Sequence, residues 1–438
     1  MTARQAALAA LQRCRRDRAW SSQVIDGIIR EQLSDGREAA LAARLCLGVL
    51  QNSALLDYYI DAFCTVRGAK LEPKLRDILR LGAYQLLFLD KIPVSAAVNE
   101  SVSLSRSSGF ERASGLVNAV LRRLAEQKDD LPELPGAETA EYLSVRYSHP
   151  RWLAERLIGQ YGYAFTEGFF AANNSPADTA LQINTLKSDR QKVAELFQGH
   201  GISFETPDWP SNCILTRGGR VSELPGFEQG LFYVQDRAAR AAVEIAGPRP
   251  GMRVLDACSA PGGKSFAAAV SMENKGKIFA CDIHEKKLSL VRGGAQRLGI
   301  DIIETGVRDA RAPAESLRSS FDLVIADVPC SGLGVIRKKP EIRYKREEEL
   351  SSLPEIQSAI LENLAGFVKP GGVLLYSTCT ILREENEAVV CRFLDAHDGF
   401  APEDFSVGQA RSSDGMYTFW PHIDGCDGFF AAKLRRIV

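Results

Sequence analysis

The segment Val254-Leu255-Asp256-Ala257-Cys258-Ser259-Ala260-Pro261-Gly262-Gly263-Lys264-Ser265 leaves the backbone few choices. An apolar run reaches an acid, turns through small residues, a proline and two glycines, and enters an alanine-rich helical pattern at Phe266. That is a strand, a tight loop and a helix start, the layout in which backbone N–H groups approach a nucleotide-like ligand. Two later apolar runs end in comparable chemistry. One, Leu323-Val324-Ile325-Ala326, leads into Asp327-Val328-Pro329-Cys330; the other, Leu374-Leu375-Tyr376-Ser377, leads into Thr378-Cys379. Apolar strands at 254–255, 277–280, 323–326 and 373–376 alternate with helical stretches such as 286–298 and 354–367. The alternation predicts a doubly wound, mostly parallel α/β sheet from residue 241 onward. Ligands bind beyond the carboxyl ends of such strands, and all three motifs fall there.

The loop is open to several readings. A P-loop needs glycine where Cys258 stands, and a dinucleotide fingerprint needs Gly-x-Gly-x-x-Gly, which is absent. A loop for S-adenosyl-methionine needs only close backbone approach to the amino-acid and ribose parts. A purely structural βα turn has the same composition. Asp282 ends the next strand, 20 residues after Gly262, where a carboxylate meets ribose hydroxyls in nucleotide-binding βαβ units. Asp309 follows a third short apolar run, and is either a partner for an adenine amino group or part of a surface loop.

Upstream, the pattern changes. At 438 residues the chain suggests about three domains. Residues 1–130 read as an all-α bundle, mildly basic, with Ile92-Pro93-Val94 breaking the periodicity and Ser95 placed to cap the next helix. Residues 126–140, with two prolines, a glycine and several charges, read as a linker. Residues 141–240 mix helix and strand: His149-Pro150-Arg151-Trp152 opens a helix and Leu181-Gln182-Ile183-Asn184 alternates as a strand, so a small α+β module is expected. Residues 241–438 form the α/β domain.

The net charge of −1 neither announces nor excludes a nucleic-acid partner. The ten cysteines include no Cys-x-x-Cys pair, which argues against a disulfide framework or a metal site and for reduced thiols in a cytoplasmic protein. No secretory h-region and no run of about 18 apolar residues appears, so no membrane partner is expected. Cys14, Cys46, Cys64, Cys213, Cys281 and Cys391 are expected as small buried hydrophobes.

Cys330 and Cys379 are different, because both stand at strand ends beside the loop. Carbon 5 of cytosine is a poor nucleophile. A thiolate adding at carbon 6 makes carbon 5 enamine-like, able to attack a sulfonium methyl. An acid beside ring nitrogen 3 stabilises the adduct, and loss of the carbon 5 proton expels the thiol. One cysteine, one carboxylic acid and a base suffice; a second thiol can assist release. Asp327 is the acid. Residue chemistry alone does not rank the two cysteines.

Taken together, Asp-x-Cys-Ser-Ala-Pro-Gly-Gly-Lys-Ser, Asp-Val-Pro-Cys-Ser-Gly-Leu-Gly and Tyr-Ser-Thr-Cys-Thr resemble the motifs of the RNA cytosine carbon-5 methyltransferases. The closing run Asp424-Gly425-Cys426-Asp427-Gly428-Phe429-Phe430-Ala431 does too. The resemblance covers roughly 145–438. Residues 79–86, Val98-Asn99-Glu100 and 115–122 resemble the NusB-like helical RNA-binding module. The resemblance implies a Rossmann-like methyltransferase domain that holds S-adenosyl-methionine on Cys258, Ser259, Ala260, Pro261, Gly262, Gly263 and Lys264. Asp282, Asp309 and Asp327 would bind the cofactor or line its site. It also implies Cys379 as nucleophile, Cys330 as the thiol that assists release, and 16S rRNA, free or in an assembly intermediate, as the substrate of a monomeric enzyme. A tRNA methyltransferase and a non-catalytic ribosome-assembly factor are the alternatives; retention of Asp327, Cys330 and Cys379 argues against the latter. Ser259, Val328, Thr380 and Gln182 depart from the usual Ala, Ala, Ser and Arg. Arg337-Lys338-Lys339-Pro340, with Arg343, Lys345 and Arg346, is the expected phosphate-contacting patch.

Overall fold

Leu45, Leu56, Ile60, Ile78, Leu79, Val117 and Leu121 recur at helical spacing, and each is essentially buried. They are the inner faces of a helical bundle. The computed structural model describes residues 1–17, 21–33, 35–64 and 71–438. These fall into two compact units, Met1–Ser175 with Ile336–Glu347, and Pro176–Val335 with Glu348–Val438.

The first unit contains α1 (Ala3–Asp17), α2 (Ser21–Gln32), α3 (Gly36–Phe63), α4 (Pro73–Phe88), α5 (Val94–Ser107), α6 (Ser114–Glu126), α7 (Ala140–Tyr147), α8 (Arg151–Tyr161) and α9 (Tyr163–Asn174). Asp35 caps α3 by accepting from Arg37 N–H, and Thr139 caps α7 by accepting from Tyr142 N–H. Helix α5 begins at Val94 behind Pro93 with no side-chain cap, so Ser95 lies inside the first turn rather than at its start. By length and composition α3 could cross a bilayer. Its Leu45, Val49, Leu56 and Ile60 are instead buried in the bundle core. Asn52 breaks its helical geometry, and the Asn52 amide donates to Gly48 O at 2.9 Å. Leu131 and Leu134, within the expected linker, pack on the same core. Helices α7–α9 group with this bundle, so the two units part at Ser175.

The second unit opens with a four-stranded antiparallel sheet in the order β2-β3-β1-β4. Its strands are β1 (Thr179–Ile183), β2 (Phe204–Glu205), β3 (Cys213–Thr216) and β4 (Phe232–Val234), with α10 (Arg190–Gly199) between β1 and β2. Phe197 and Phe232 close its core. Asn184 is fully buried and donates to Gly230 O and Leu298 O at 2.9 and 2.8 Å, which pins the module to the helix ending at Leu298.

Then follow α11 (Arg237–Ala246), β5 (Arg253–Asp256), α12 (Gly263–Ser271), β6 (Lys277–Asp282), α13 (Glu285–Leu298), β7 (Ile303–Val307), β8 (Phe321–Asp327), α14 (Leu353–Ala365), β9 (Val368–Thr378) and α15 (Glu387–Ala396). The chain ends with β10 (Phe400–Pro402), β11 (Phe405–Val407), β12 (Ala410–Ser412), β13 (Met416–Phe419), the single turn α16 (Pro421–Asp424) and β14 (Phe429–Arg436). Strands β11 and β12 form a separate hairpin. The main sheet runs β10-β14-β9-β8-β5-β6-β7, with β13 also on β14. From β9 to the β7 edge the strands β9-β8-β5-β6-β7 are parallel, and β14 enters antiparallel against β9. Alternate residues face opposite helical layers. Val254, Leu323, Ile325 and Leu375 pack with α11–α13, and Leu255, Val324, Ala326 and Leu374 with α14 and α15. The strand order reverses at β5, which makes its carboxyl end the expected crevice.

Candidate active site

The loop after β5 is held by its own backbone. Ser259 N–H donates to Cys281 O at the end of β6, Gly262 N–H donates to Ser259 O, both at 2.7 Å, and Phe266 N–H donates back to Gly262 O at 2.8 Å. Gly262 has φ +113°, and a Cβ there would lie 2.5 Å from the Phe266 ring, so only glycine fits. Helix α12 begins at Gly263. Gln235, between β4 and α11, is buried against it: a Cβ on Gly263 would meet the Gln235 amide nitrogen at 3.6 Å. Both amide atoms of Gln235 lack a hydrogen-bond partner. Gln182 is buried too, and its amide donates to Gln235 O at 3.0 Å. Gln182 therefore supports Gln235 from inside the module.

Acids surround this loop. Asp256 is fully buried, accepts from Ser265 Oγ at 2.7 Å, and burial pushes its carboxyl up to about 7. Burial, then the charges of Asp256, Asp327 and Asp282, push the Cys258 thiol far up, so it stays protonated. Asp282 ends β6, nearly buried, and accepts from His284 N–H at 2.9 Å. Asp309 stands beyond β7 with its carboxylate taken by Arg311, through Nη2 at 2.7 Å and Nε at 3.1 Å. The Arg311 hydrogen bonds hold the Asp309 carboxyl at about 2.

Lys264 links the loop to the thiols. Its Nζ lies 2.6 Å from Asp327 Oδ2 and 4.9 Å from the centre of the Phe429 ring. Asp327 Oδ1 accepts from Ser377 Oγ at 2.9 Å. Beyond Asp327, Cys330 Sγ lies 3.2 Å from Cys379 Sγ, with both residues half-buried. Gly334 N–H donates to Cys379 O at 3.0 Å and Gly428 N–H donates to Gly334 O at 2.8 Å, so the closing segment is tied to both cysteine loops. Cys258, Ser259, Ala260, Pro261, Gly262, Gly263, Lys264, Asp282, Asp327, Cys330 and Cys379 thus gather at one edge of the sheet. Asp309 is at the same edge but bonded away from the thiols.

Some residues behave otherwise than the sequence suggests. Arg343 is buried in the helical unit. Its Nη1 donates to Gln51 O at 2.5 Å and to Tyr147 O and Ser148 O at 3.2 Å, and its Nη2 to Asn174 Oδ1 at 3.1 Å. Desolvation lowers its pKa to about 10, and it offers nothing to a phosphate. Cys391 is exposed on α15 and Cys64 is only half-buried, whereas Cys14, Cys46, Cys213 and Cys281 are buried as expected. Gln235, Gln357 and Glu385 escaped sequence reasoning: Gln235 follows an apolar strand, Gln357 lies in an amphipathic helix and Glu385 in a charged run, and only the fold shows that each is buried. Among the described residues, no group of three or more His, Cys, Asp or Glu side chains is arranged to hold a metal ion.

Residues 1–126 match the NusB family, 149–222 a ferredoxin-like domain of RsmF/B-type methyltransferases, and 243–435 the family described as 16S rRNA methyltransferase RsmB/F. A probable ribosomal RNA small subunit methyltransferase B from Bacillus subtilis (strain 168) is 34% identical over 99% of this chain and 98% of its own. The ribosomal RNA small subunit methyltransferase B of Klebsiella pneumoniae is 33% identical over 93% of this chain and 92% of its own. The crystal structure of PH0851 superposes with a TM-score of 0.84 at 28% identity, covering 99% of this chain and 98% of that one.

Proposed function

Because this chain belongs to the RsmB/F family of S-adenosyl-methionine-dependent RNA methyltransferases, we propose that it methylates carbon 5 of a cytosine in 16S rRNA through a covalent cysteine–cytosine adduct. The observation that carries the reading is the contact of the Cys330 and Cys379 sulfurs, 3.2 Å apart. They lie next to the acid that Lys264 ties to the cofactor loop. The names of the relatives supply the substrate RNA; the thiol pair supports the base and the atom. A tRNA substrate finds no comparable support.

The residues fit the cofactor. Gly262 keeps the loop free of a Cβ, and Gln235 presents a buried amide with an unused donor and an unused acceptor beside Gly263. An amino acid's carboxylate and ammonium need one of each. The loop from Cys258 to Lys264, with Gln235, would hold the amino-acid part, and Asp282 the ribose. When bound, the cofactor supplies a methyl group on a sulfonium sulfur.

Cys379 attacks carbon 6 as a thiolate, and the new S–C bond sends electron density towards carbon 5. Ring nitrogen 3 takes a proton passed through Asp327 from the Lys264 ammonium, 2.6 Å from the carboxylate, which leaves a neutral lysine. Carbon 5 then takes the methyl group. The carbon 5 proton passes to solvent water, its electron pair forms the C5–C6 double bond as the S–C6 bond breaks, the Cys379 thiolate leaves, and nitrogen 3 gives its proton back through Asp327 to Lys264. Cys330, in contact with that sulfur, gives it a proton as it departs. Such steps need groups poised within hydrogen-bond reach. The target base must be unpaired or turned out of its stack.

Incubating each variant with a 16S rRNA transcript and cofactor, then running denaturing gels, tests the reading. Cys330→Ser accumulates a covalent RNA–protein band, and Cys379→Ser gives neither band nor methylation. Full methylation by Cys379→Ser overturns it.

A further inference from the structure

Glu385 lies in Arg383-Glu384-Glu385-Asn386, a polar run between Cys379 and α15, yet it is 1% exposed. Its Oε2 accepts the Ser331 N–H at 2.9 Å and the Gln357 amide at 2.8 Å. Its Oε1 accepts Thr380 Oγ1 at 3.4 Å. Thr380 Oγ1 also lies 2.6 Å from Ser331 Oγ. Ser331 follows Cys330, and Thr380 follows Cys379. One carboxylate therefore grips the residue next to each sulfur. Gln357, fully buried on α14, extends the grip by donating to Pro329 O at 3.0 Å, on the other side of Cys330. Tyr376 OH donates to the main-chain oxygen of Glu385 at 2.5 Å, which fixes the carboxylate's own backbone.

We propose that Glu385 is a positioning residue that holds the two thiols in contact and keeps negative charge off Cys330, so that Cys379 is the sulfur that ionises. The proposal rests on the reading of Cys379 as nucleophile and deepens it. Ionising a contacting thiol pair removes one proton and leaves the other between the sulfurs. The Glu385 carboxylate leans towards the Cys330 loop, 2.9 Å from Ser331 N against 3.4 Å from Thr380 Oγ1, so its charge opposes a second negative charge at Cys330. Cys330 faces Asp327 from β8, Tyr376 from β9, and Cys379 and Glu385 from the loop after β9. The Lys264 ammonium is engaged by Asp327. The hydrogen bond with Cys379, burial, and the charges of Cys379, Glu385 and Asp327 all push the Cys330 thiol up. Thiolate, not thiol, is the nucleophile. The carboxylate thus assigns different tasks to two residues of the same kind. Cys379 becomes the attacking sulfur, while Cys330 keeps the proton it later gives up.

Glu385→Gln separates brace from charge. Its amide oxygen can keep the Ser331 and Gln357 bonds, and its amide nitrogen can donate to Thr380 Oγ1, whose hydroxyl turns to Ser331 Oγ. Alkylation of the full-length protein with iodoacetamide across pH 6–10, with peptide mapping, reads each thiol without RNA. In the wild type Cys379 is labelled first. In Glu385→Gln the Cys330 midpoint falls by about one pH unit, and the preference for Cys379 drops roughly tenfold. Thermal melting of this variant stays at the wild-type value. Glu385→Ala, which loses the brace as well, melts lower and loses the preference. Wild-type preference and midpoints in a folded Glu385→Gln overturn the proposal. Failure of the parent reading looks different: Cys330→Ser forms no RNA adduct, while Glu385→Gln still changes which thiol is alkylated. That outcome leaves the effect of Glu385 on the thiols standing.

Discussion

Lys264 Nζ and Asp327 Oδ2 lie 2.6 Å apart, and this one ion pair joins the loop after β5 to the end of β8. Both side chains are substantially shielded, the lysine more than the aspartate, with 10% and 31% of their surfaces exposed. A pair that transfers a proton as a unit loses function when either member goes. Lys264→Met and Asp327→Asn should each lower kcat by about 10²–10⁴-fold. The double variant should be little worse than either single one. Single-turnover methylation of 16S rRNA measures all three. Strictly multiplicative losses would show that the two residues act independently.

Asp256 gives a pH dependence of stability. Its folded pKa is raised to about 7 by burial, against an ordinary value of 3.8. Between those values the folded state binds the proton and the unfolded state does not. Its contribution is therefore fully present below the ordinary value and is lost as pH rises to about 7. Asp256→Asn removes the titration. The stability of the variant relative to the wild type should improve by a few kcal/mol, in order of magnitude, between about pH 4 and pH 8. Urea unfolding at both pH values checks this; parallel curves would exclude Asp256 as the titrating group.

Arg343 and Lys339 stand four residues apart and should behave oppositely. Arg343→Met strips hydrogen bonds from Gln51, Tyr147, Ser148 and Asn174. It should destabilise the helical unit by about 3 kcal/mol or more. It should leave the salt dependence of RNA binding as it was. Exposed Lys339, changed to Ala, should leave melting unchanged and reduce the slope of log affinity against log salt by about one. Filter binding at several salt concentrations, paired with thermal melts, distinguishes the two.

What the sequence revealed and what it hid divide along a physical line. Strands β5, β6 and β8 are short apolar runs that each end in an acid, and the apolar part of β9 leads to Cys379, so their type and carboxyl ends are readable. The sheet order then places Asp282, Asp327, Cys330 and Cys379 at one edge. Glu385 was illegible because burial of a charge depends on distant donors. Ser331 and Gln357 lie 54 and 28 residues away in sequence, and a run of Arg, Glu and Asn ordinarily reads as a solvated surface. Arg343 was hidden for the same reason, since three of its partners are main-chain carbonyls, which have no sequence signature, and the fourth, Asn174, is 169 residues away. Helices α7–α9 carry helical periodicity, but periodicity does not say which core they join; their grouping with the bundle follows from packing.

The segment Ile336–Glu347 belongs to the helical unit, although the chain enters and leaves it from the catalytic half. Severing the polypeptide after Ser175 would therefore not yield two self-sufficient pieces. The amputated C-terminal fragment would carry Arg343 away from every carbonyl that solvates it. An enzyme of this kind that dispensed with its N-terminal helices would have to re-house that guanidinium or replace it. Gain and loss of the helical part in such proteins is then coupled to a dozen residues encoded far downstream.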